Sequence, residues 1–169
     1  MSTVMVIAAH PDDEVLGCGG TIARHVRQGD EVHVLILAEG ITSRDRERDR
    51  PAREKEISEL GQAAHRANTI LGTTSLTLQG FPDNRMDSVD QLDIVKAVEA
   101  HLVLHPPTVV YTHHAGDVNI DHRCIHDAVN VVCRPQPGHP VRRLLYFETP
   151  SSTEWQPATS SQQFAPNWF

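Results

Sequence analysis

The sequence predicts an α/β protein built on a mostly parallel sheet, and three observations carry that prediction. Short apolar runs rich in valine, isoleucine and leucine recur along the chain. Amphipathic stretches of helical length separate them, and strands that alternate with helices form βαβ units. The 169 residues suffice for one ordinary domain that buries its own core. Residues 1–169 therefore read as a single domain, with an irregular tail from about residue 150.

Val4 to Ala8 is an unbroken small apolar run and gives the first strand. A helical pattern runs from Glu14 to Gln28 and stops at Gly29, well placed as a C-terminal cap. Glu31 to Leu37 is the second strand, Ala52 to Leu71 a helix capped by Gly72, and Ser75 to Leu78 the third strand. Ser88 opens a run in which Leu92, Val95, Val98 and Leu102 recur near helical spacing; Pro106-Pro107 ends it after His105. Thr108 to Thr112 is the fourth strand, Asp121 to Val132 the last helix and Leu144 to Glu148 the fifth strand. There is no internal repeat. From Pro150 the chain turns to Ser, Thr, Gln and Pro, with Trp155, Phe164, Trp168 and Phe169 scattered among them. Those late aromatics call for a partner surface, and a homo-oligomer would supply one.

Composition removes several classes of function. A formal net charge of −7 argues against the clustered basic face of a nucleic-acid binder. Arginine supplies 13 of the 15 basic residues, five of them between Arg44 and Arg53, so any anion contact is local. No apolar run approaches a membrane span, and the N-terminus enters a strand without a signal-peptide pattern. Cys18, Cys124 and Cys133 make an odd count without Cys-x-x-Cys spacing, which favours a reduced, cytoplasmic protein over a disulfide framework. Eleven histidines, several clustered between His101 and His126, add weight to metal or proton chemistry.

The first strand empties into His10-Pro11-Asp12-Asp13-Glu14. In a parallel sheet the ligand sits outside the carboxyl ends of the strands, so these residues stand at the rim of the expected crevice. An imidazole and a donor three residues later converge on one metal ion if the chain turns sharply between them, and Pro11 favours that turn. Two adjacent aspartates before a helix also serve as a plain N-cap. Gly17, Gly19 and Gly20 do not fit G-x-G-x-x-G and read as close helix–sheet packing.

A second cluster, Tyr111 to His122, follows the fourth strand and reaches the same rim. His122 and His126, four apart on a helix, can share one zinc ion; alternatively one is a ligand and the other packs. His10, Asp13 and His122 make a two-histidine, one-carboxylate set that leaves a coordination position for water, whereas adding His126 would close the shell. Asp12, beside Asp13 but pointing elsewhere, is then free to take a proton from water at the metal, which is hydrolytic machinery. Asp121 could orient His122 or a neighbouring imidazole, or simply cap its helix.

Ala9-His10-Pro11-Asp12-Asp13-Glu14 and Asp121-His122 resemble the two signatures of the PIG-L/LmbE-like family of zinc-dependent N-deacetylases. Gly80 to Asp87 looks like a segment of one bacterial branch, and the resemblance extends from Val4 to about Glu154. It implies a Rossmann-like three-layer sandwich. It further implies hydrolysis of N-acetyl groups on amino sugars or their conjugates, with His10, Asp13 and His122 holding Zn2+ or another divalent ion and Asp12 as general base. Some members carry a general-acid histidine where this chain has Asn119, and an oxyanion-stabilising tyrosine where it has Asp117. His114 or His113 is then a candidate acid, with Asp12 shuttling the proton both ways as the alternative.

Asn84, Arg85, Asp117 and Asn119 are the candidate substrate contacts, with Asp83 and Asp87 nearby; the segment Asp83 to Asp87 reads equally as a tight surface turn. The alternating charges from Glu39 to Arg53 are either a solvated loop or a lid over sugar or phosphate. Family members commonly continue past a segment like Phe164 to Phe169, so the C-terminal part reads as short or truncated. Two other functions stay open beside the deacetylase: a catalytically impaired metal-binding homologue, and a non-catalytic sugar or nucleotide module.

Overall fold

The computed structural model describes residues 1–167, and within them runs β1 (Thr3–Ala8), α1 (Asp13–Arg27), β2 (Glu31–Ala38), α2 (Glu54–Leu71), β3 (Ser75–Phe81), α3 (Gln91–Leu104), β4 (Val109–His113), α4 (Ile120–Val132) and β5 (Arg143–Phe147). The strands form one sheet in the order β3-β2-β1-β4-β5, every pair parallel. The chain winds outward from β1 to β3, then returns to the other side of β1 at β4. That reversal makes β1/β4 the topological switch point, where the crevice of a doubly wound sheet opens.

Helices cover both faces, so the expected three-layer sandwich is the observed one. Along β1, Met5, Ile7 and Ala9 pack with Ile94, Val98 and Leu102 of α3 and with Ile125, Ala128 and Val129 of α4. The alternate residues Val4, Val6 and Ala8 pack with Cys18 and Ile22 of α1, and Leu71 of α2 joins that cluster. A central strand buried on both sides needs apolar residues at every position rather than at alternate ones, which is why Val4 to Ala8 is unbroken.

The predicted elements are all present, and their differences have local causes. Residues Pro51–Arg53 and Met86–Ser88 form single 3-10 turns, so α2 begins at Glu54 and α3 at Gln91 rather than at Ala52 and Ser88. The buried stripe of α3 is Ile94, Val98 and Leu102, while Leu92 is exposed. Gly72 takes φ 79° and caps α2 through its N–H to Asn68 and Thr69 carbonyls. Of the three glycines in α1 only Gly17 permits close packing: a Cβ there would lie 2.3 Å from the Phe147 ring, whereas at Gly20 it would meet nothing. In the tail, Phe164 finds a partner in the chain itself, edge-on to His114, while Trp155 is exposed. Trp168 and Phe169 lie outside the described residues.

Candidate metal centre

Three donor atoms meet at the switch point. His10 follows β1, and the Pro11 turn folds back so that the Asp12 and Asp13 amides donate to the His10 carbonyl at 2.8 and 3.2 Å. Asp13 then opens α1, and His122 stands in the first turn of α4 behind β4. His10 Nδ1 and His122 Nε2 each lie 3.2 Å from Asp13 Oδ2, and 3.3 Å from one another. Ligands about 2.0–2.1 Å from a tetrahedral zinc are separated by about 3.3–3.4 Å, so this near-equilateral triangle has the dimensions of one face of such a site.

The other nitrogen of each ring is backed by a carboxylate. His10 Nε2 donates to Asp121 Oδ2 at 3.1 Å, with Asp83 Oδ1 3.3 Å away. His122 Nδ1 donates to Asp117 Oδ2 at 3.0 Å. Such pairs fix the tautomer and leave the opposite ring nitrogen as a lone-pair donor. Asp121 is itself held by two backbone amides, Asn84 at 2.6 Å and Met86 at 2.9 Å. Asn84 adopts φ 52° to present its amide, a left-handed conformation that asparagine tolerates better than most residues. His10 Nε2, Asp83 and Asp121 form a second, overlapping donor group, facing away from Asp13.

The electrostatics favour a cation. Burial opposes charge on His10, but its bonds to Asp121, Asp13 and Asp83 outweigh that and hold its pKa well above the ordinary histidine value. Burial likewise works against charge on His122, yet Asp117 and Asp13 raise it. Burial would raise Asp13, but the His10 and His122 bonds bring it well below the carboxylate range. In the same way the His10 bond overcomes burial at Asp83 and the His122 bond does so at Asp117, and each comes down to about 2. Glu14 differs: burial pushes it up to about 7, with one oxygen bonded to Asn68 and the other unpartnered.

Asp12 is exposed at the rim of this group. Its carboxylate makes no cap bond to α1, which removes the plain N-cap explanation for that side chain. Although the residue reaches solvent, crowding by the surrounding protein and the charge of Asp13 raise its pKa. His126 is not part of the triangle; its Nδ1 donates to the His113 carbonyl and its ring packs on Tyr146.

The other expected site residues have these partners. Asp117 is buried and accepts from the Asn119 amide, Ser152, Thr153 and His122, so no lone pair faces substrate. Of the two imidazoles Asp121 could orient, it backs the neighbouring one, His10, rather than His122. His114 Nε2 donates to the Gln162 carbonyl at 2.7 Å, which ties it to the tail. His113 is fully buried, burial drives its pKa well down, and its Nε2 is occupied in accepting the Ala9 amide, so that nitrogen offers no proton to a substrate. Arg85 donates to the Asp45 and Arg46 carbonyls and braces the loop after β2. Asn119 caps α4 through the Asp121 amide and bonds Asn84 with its other end; of the four substrate candidates Asn84 is exposed, Arg85 and Asn119 are half-buried and Asp117 is buried.

Asp83 and the pair Ser152/Thr153 are the residues that sequence reasoning undervalued. Asp83 had a signal, its place just past a strand's carboxyl end; the hydroxyls had none, lying far along the chain in an irregular segment. The charges of the loop after β2 are paired in part: Glu39, itself buried, holds Arg48 and Arg50, and Asp45 holds Arg53, while Arg44, Arg46, Glu47 and Asp49 are exposed. A surface hollow of about 450 Å³ opens beside Pro11 between α2 and β3.

Fold and site together define a doubly wound α/β protein with a carboxylate-backed His/Asp centre at its switch point. The chain belongs to the PIG-L family: the family model, described as GlcNAc-PI de-N-acetylase, matches residues 5–133. Among curated proteins it is 29% identical over 154 residues to the uncharacterized deacetylase YaiS of Escherichia coli K12, covering 88% of this chain and 75% of that one. Among solved structures, the N,N'-diacetylchitobiose deacetylase of Pyrococcus horikoshii shares the fold with TM-score 0.73 at 17% identity, over 88% of this chain and 61% of its own. The 4-carboxy-2-hydroxymuconate hydratase GalB of Pseudomonas putida gives TM-score 0.63 at 25% identity, over 83% and 60%. This chain thus spans about three-fifths of those two solved relatives. A hydratase on the same scaffold also means that the chemistry has to be argued from the site. No helix among the described residues is long and apolar enough to cross a membrane.

Proposed function

We propose that this protein is a zinc-dependent hydrolase that removes an N-acetyl group from an amino sugar or amino-sugar conjugate. The observation that carries the proposal is the triangle of His10 Nδ1, Asp13 Oδ2 and His122 Nε2 with sides of 3.2–3.3 Å, whose donor types and spacing suit one zinc ion and leave its remaining face open. The family description and the deacetylase relatives support the reaction class.

A divalent ion held by those three atoms would polarise the amide carbonyl and bring the pKa of water toward neutrality. His10 and His122 present their lone pairs because Asp121 and Asp117 hold the protons on the far side of each ring. Asp12, free of any cap bond and raised in pKa, takes the proton of the attacking water. With His113 neutral and His114 tied to the tail, the same carboxyl returns that proton to the amine nitrogen as the C–N bond breaks. Acetate and a free amine leave. Asn84, exposed at the rim, is where a sugar hydroxyl would be met.

Acetate release from a panel of N-acetylated sugars and conjugates, with and without chelator, tests this directly. The expected result is turnover abolished by chelation, and an Asp12→Asn variant that keeps its metal but loses about 10²–10⁴-fold in rate. Bound metal without turnover on any member would point instead to the impaired homologue. Sugar binding indifferent to chelator would point to the non-catalytic module.

A further inference from the structure

Behind His122 lies a chain of hydrogen bonds that begins in the segment after β5. The Thr149 amide donates to Thr153 Oγ1 at 2.7 Å. With that oxygen's lone pair engaged, the Thr153 hydroxyl proton points to Asp117 Oδ2, 2.6 Å away. Ser152 Oγ donates to the same oxygen at 2.9 Å and lies 3.4 Å from His122 Nδ1. The Asn119 amide holds the other oxygen at 2.8 Å. Thr149, Ser152, Thr153, Asp117 and His122 are all buried.

The direction of this relay is fixed by its chemistry. A backbone amide only donates and a carboxylate only accepts, so Thr153 must pass its proton toward Asp117. Three donors then converge on one Asp117 oxygen, and the His122 proton must sit on Nδ1, leaving Nε2 as the lone pair that faces Asp13 and His10. We propose that Thr153, seconded by Ser152, is a positioning residue: through Asp117 it fixes the tautomer and aim of His122 and so sets the affinity of the metal centre. Both hydroxyls lie outside residues 5–133, the span matched by the family model. The 3-10 turn Thr153–Trp155 is therefore part of the site and not only a staple for the tail. The inference rests on the metal reading proposed above.

The test is zinc affinity, measured by competition with a chromophoric chelator, together with the visible absorption spectrum of the cobalt-substituted protein. Removing an outer partner of a metal-ligating histidine typically costs about 10–100-fold in affinity. Thr153→Val is expected to lose about 10-fold and to shift the cobalt bands; Thr153→Ser, which restores the hydroxyl, should return to within about 3-fold of wild type. A Thr153→Val protein with wild-type affinity and an unchanged cobalt spectrum overturns the inference, whatever its melting temperature. If Thr153→Val does not fold, Ser152→Ala carries the test: an affinity loss of about 3-fold with altered cobalt bands supports it, and unchanged values overturn it. Wild-type protein that binds no zinc overturns the metal reading itself and this inference with it, whereas tight wild-type binding matched by the variants overturns this inference alone.

Discussion

Both ends of the sheet are rich in histidine, yet among the described residues only one end builds a centre. At the amino end His33 stacks on His105 at 4.0 Å, and His25 bonds Asp30 and the Tyr111 hydroxyl. The larger surface hollow, about 630 Å³ and lined in part by Cys133, Arg134, His139 and Arg142, also lies there. At the carboxyl end two imidazoles and a carboxylate point at one place, and each imidazole has an aspartate behind it. Histidine number and cavity size therefore do not mark the site. Convergence of lone pairs, with carboxylates fixing which nitrogen carries the proton, does.

The sharpest break of that comparison is removal of a donor. His122→Ala should lose zinc by more than the ~100-fold that an outer partner costs, and lose acetate release with it; His33→Gln at the other end should leave both within about 2-fold. Zinc content after dialysis and the acetate assay read the two together. Next in size, Asp121→Asn should weaken zinc about 10–100-fold while leaving one of the two amides, that of Asn84 or of Met86, without its acceptor, a loss of about 1–3 kcal/mol that chemical denaturation of the metal-free protein would report.

The two ends should also respond oppositely to pH. His10 and His122 have raised pKa values in the metal-free fold. Their contribution to stability is thus present below the unfolded value of about 6.5 and lost as pH rises through the folded ones. Burial, then His105, lowers His33, so its contribution is present above about 6.5 and lost as pH falls. Because zinc must displace protons from His10 and His122, binding near neutral pH should release protons, and affinity should fall on acidification. Calorimetry in buffers of different ionisation enthalpy measures that release. The smallest effect expected is Gly17→Ala, where the added Cβ presses on Phe147 and the Glu148 carbonyl; about 1–3 kcal/mol of stability should go, with zinc affinity kept.

The sheet was legible because a central parallel strand must be apolar on both faces, and Val4 to Ala8 and Glu31 to Leu37 announce that without context. The convergence of His10, Asp13 and His122 was legible for a different reason: each directly follows a strand or opens a helix at the rim, where local spacing and the switch-point rule agree. What stands behind them was not. Asp117 is separated by two turns of chain logic from its donors Ser152 and Thr153, and nothing in a run of small polar residues tells a buried hydroxyl from a loop. Asp121 is a partial exception: that it orients an imidazole was legible, and only the turn at Asn84 decides that it reaches across to His10. Helix starts were overshot wherever a 3-10 turn precedes the helix, because the amphipathic pattern does not distinguish the two.

His10 offers a nitrogen to each of two overlapping donor groups, which makes the position of a bound metal the most direct test of the central claim. An anomalous-scattering map of zinc-loaded crystals should show one peak inside the triangle of His10 Nδ1, Asp13 Oδ2 and His122 Nε2, about 2.0–2.2 Å from each. A peak between His10 Nε2, Asp83 and Asp121, or none at the switch point, would contradict it.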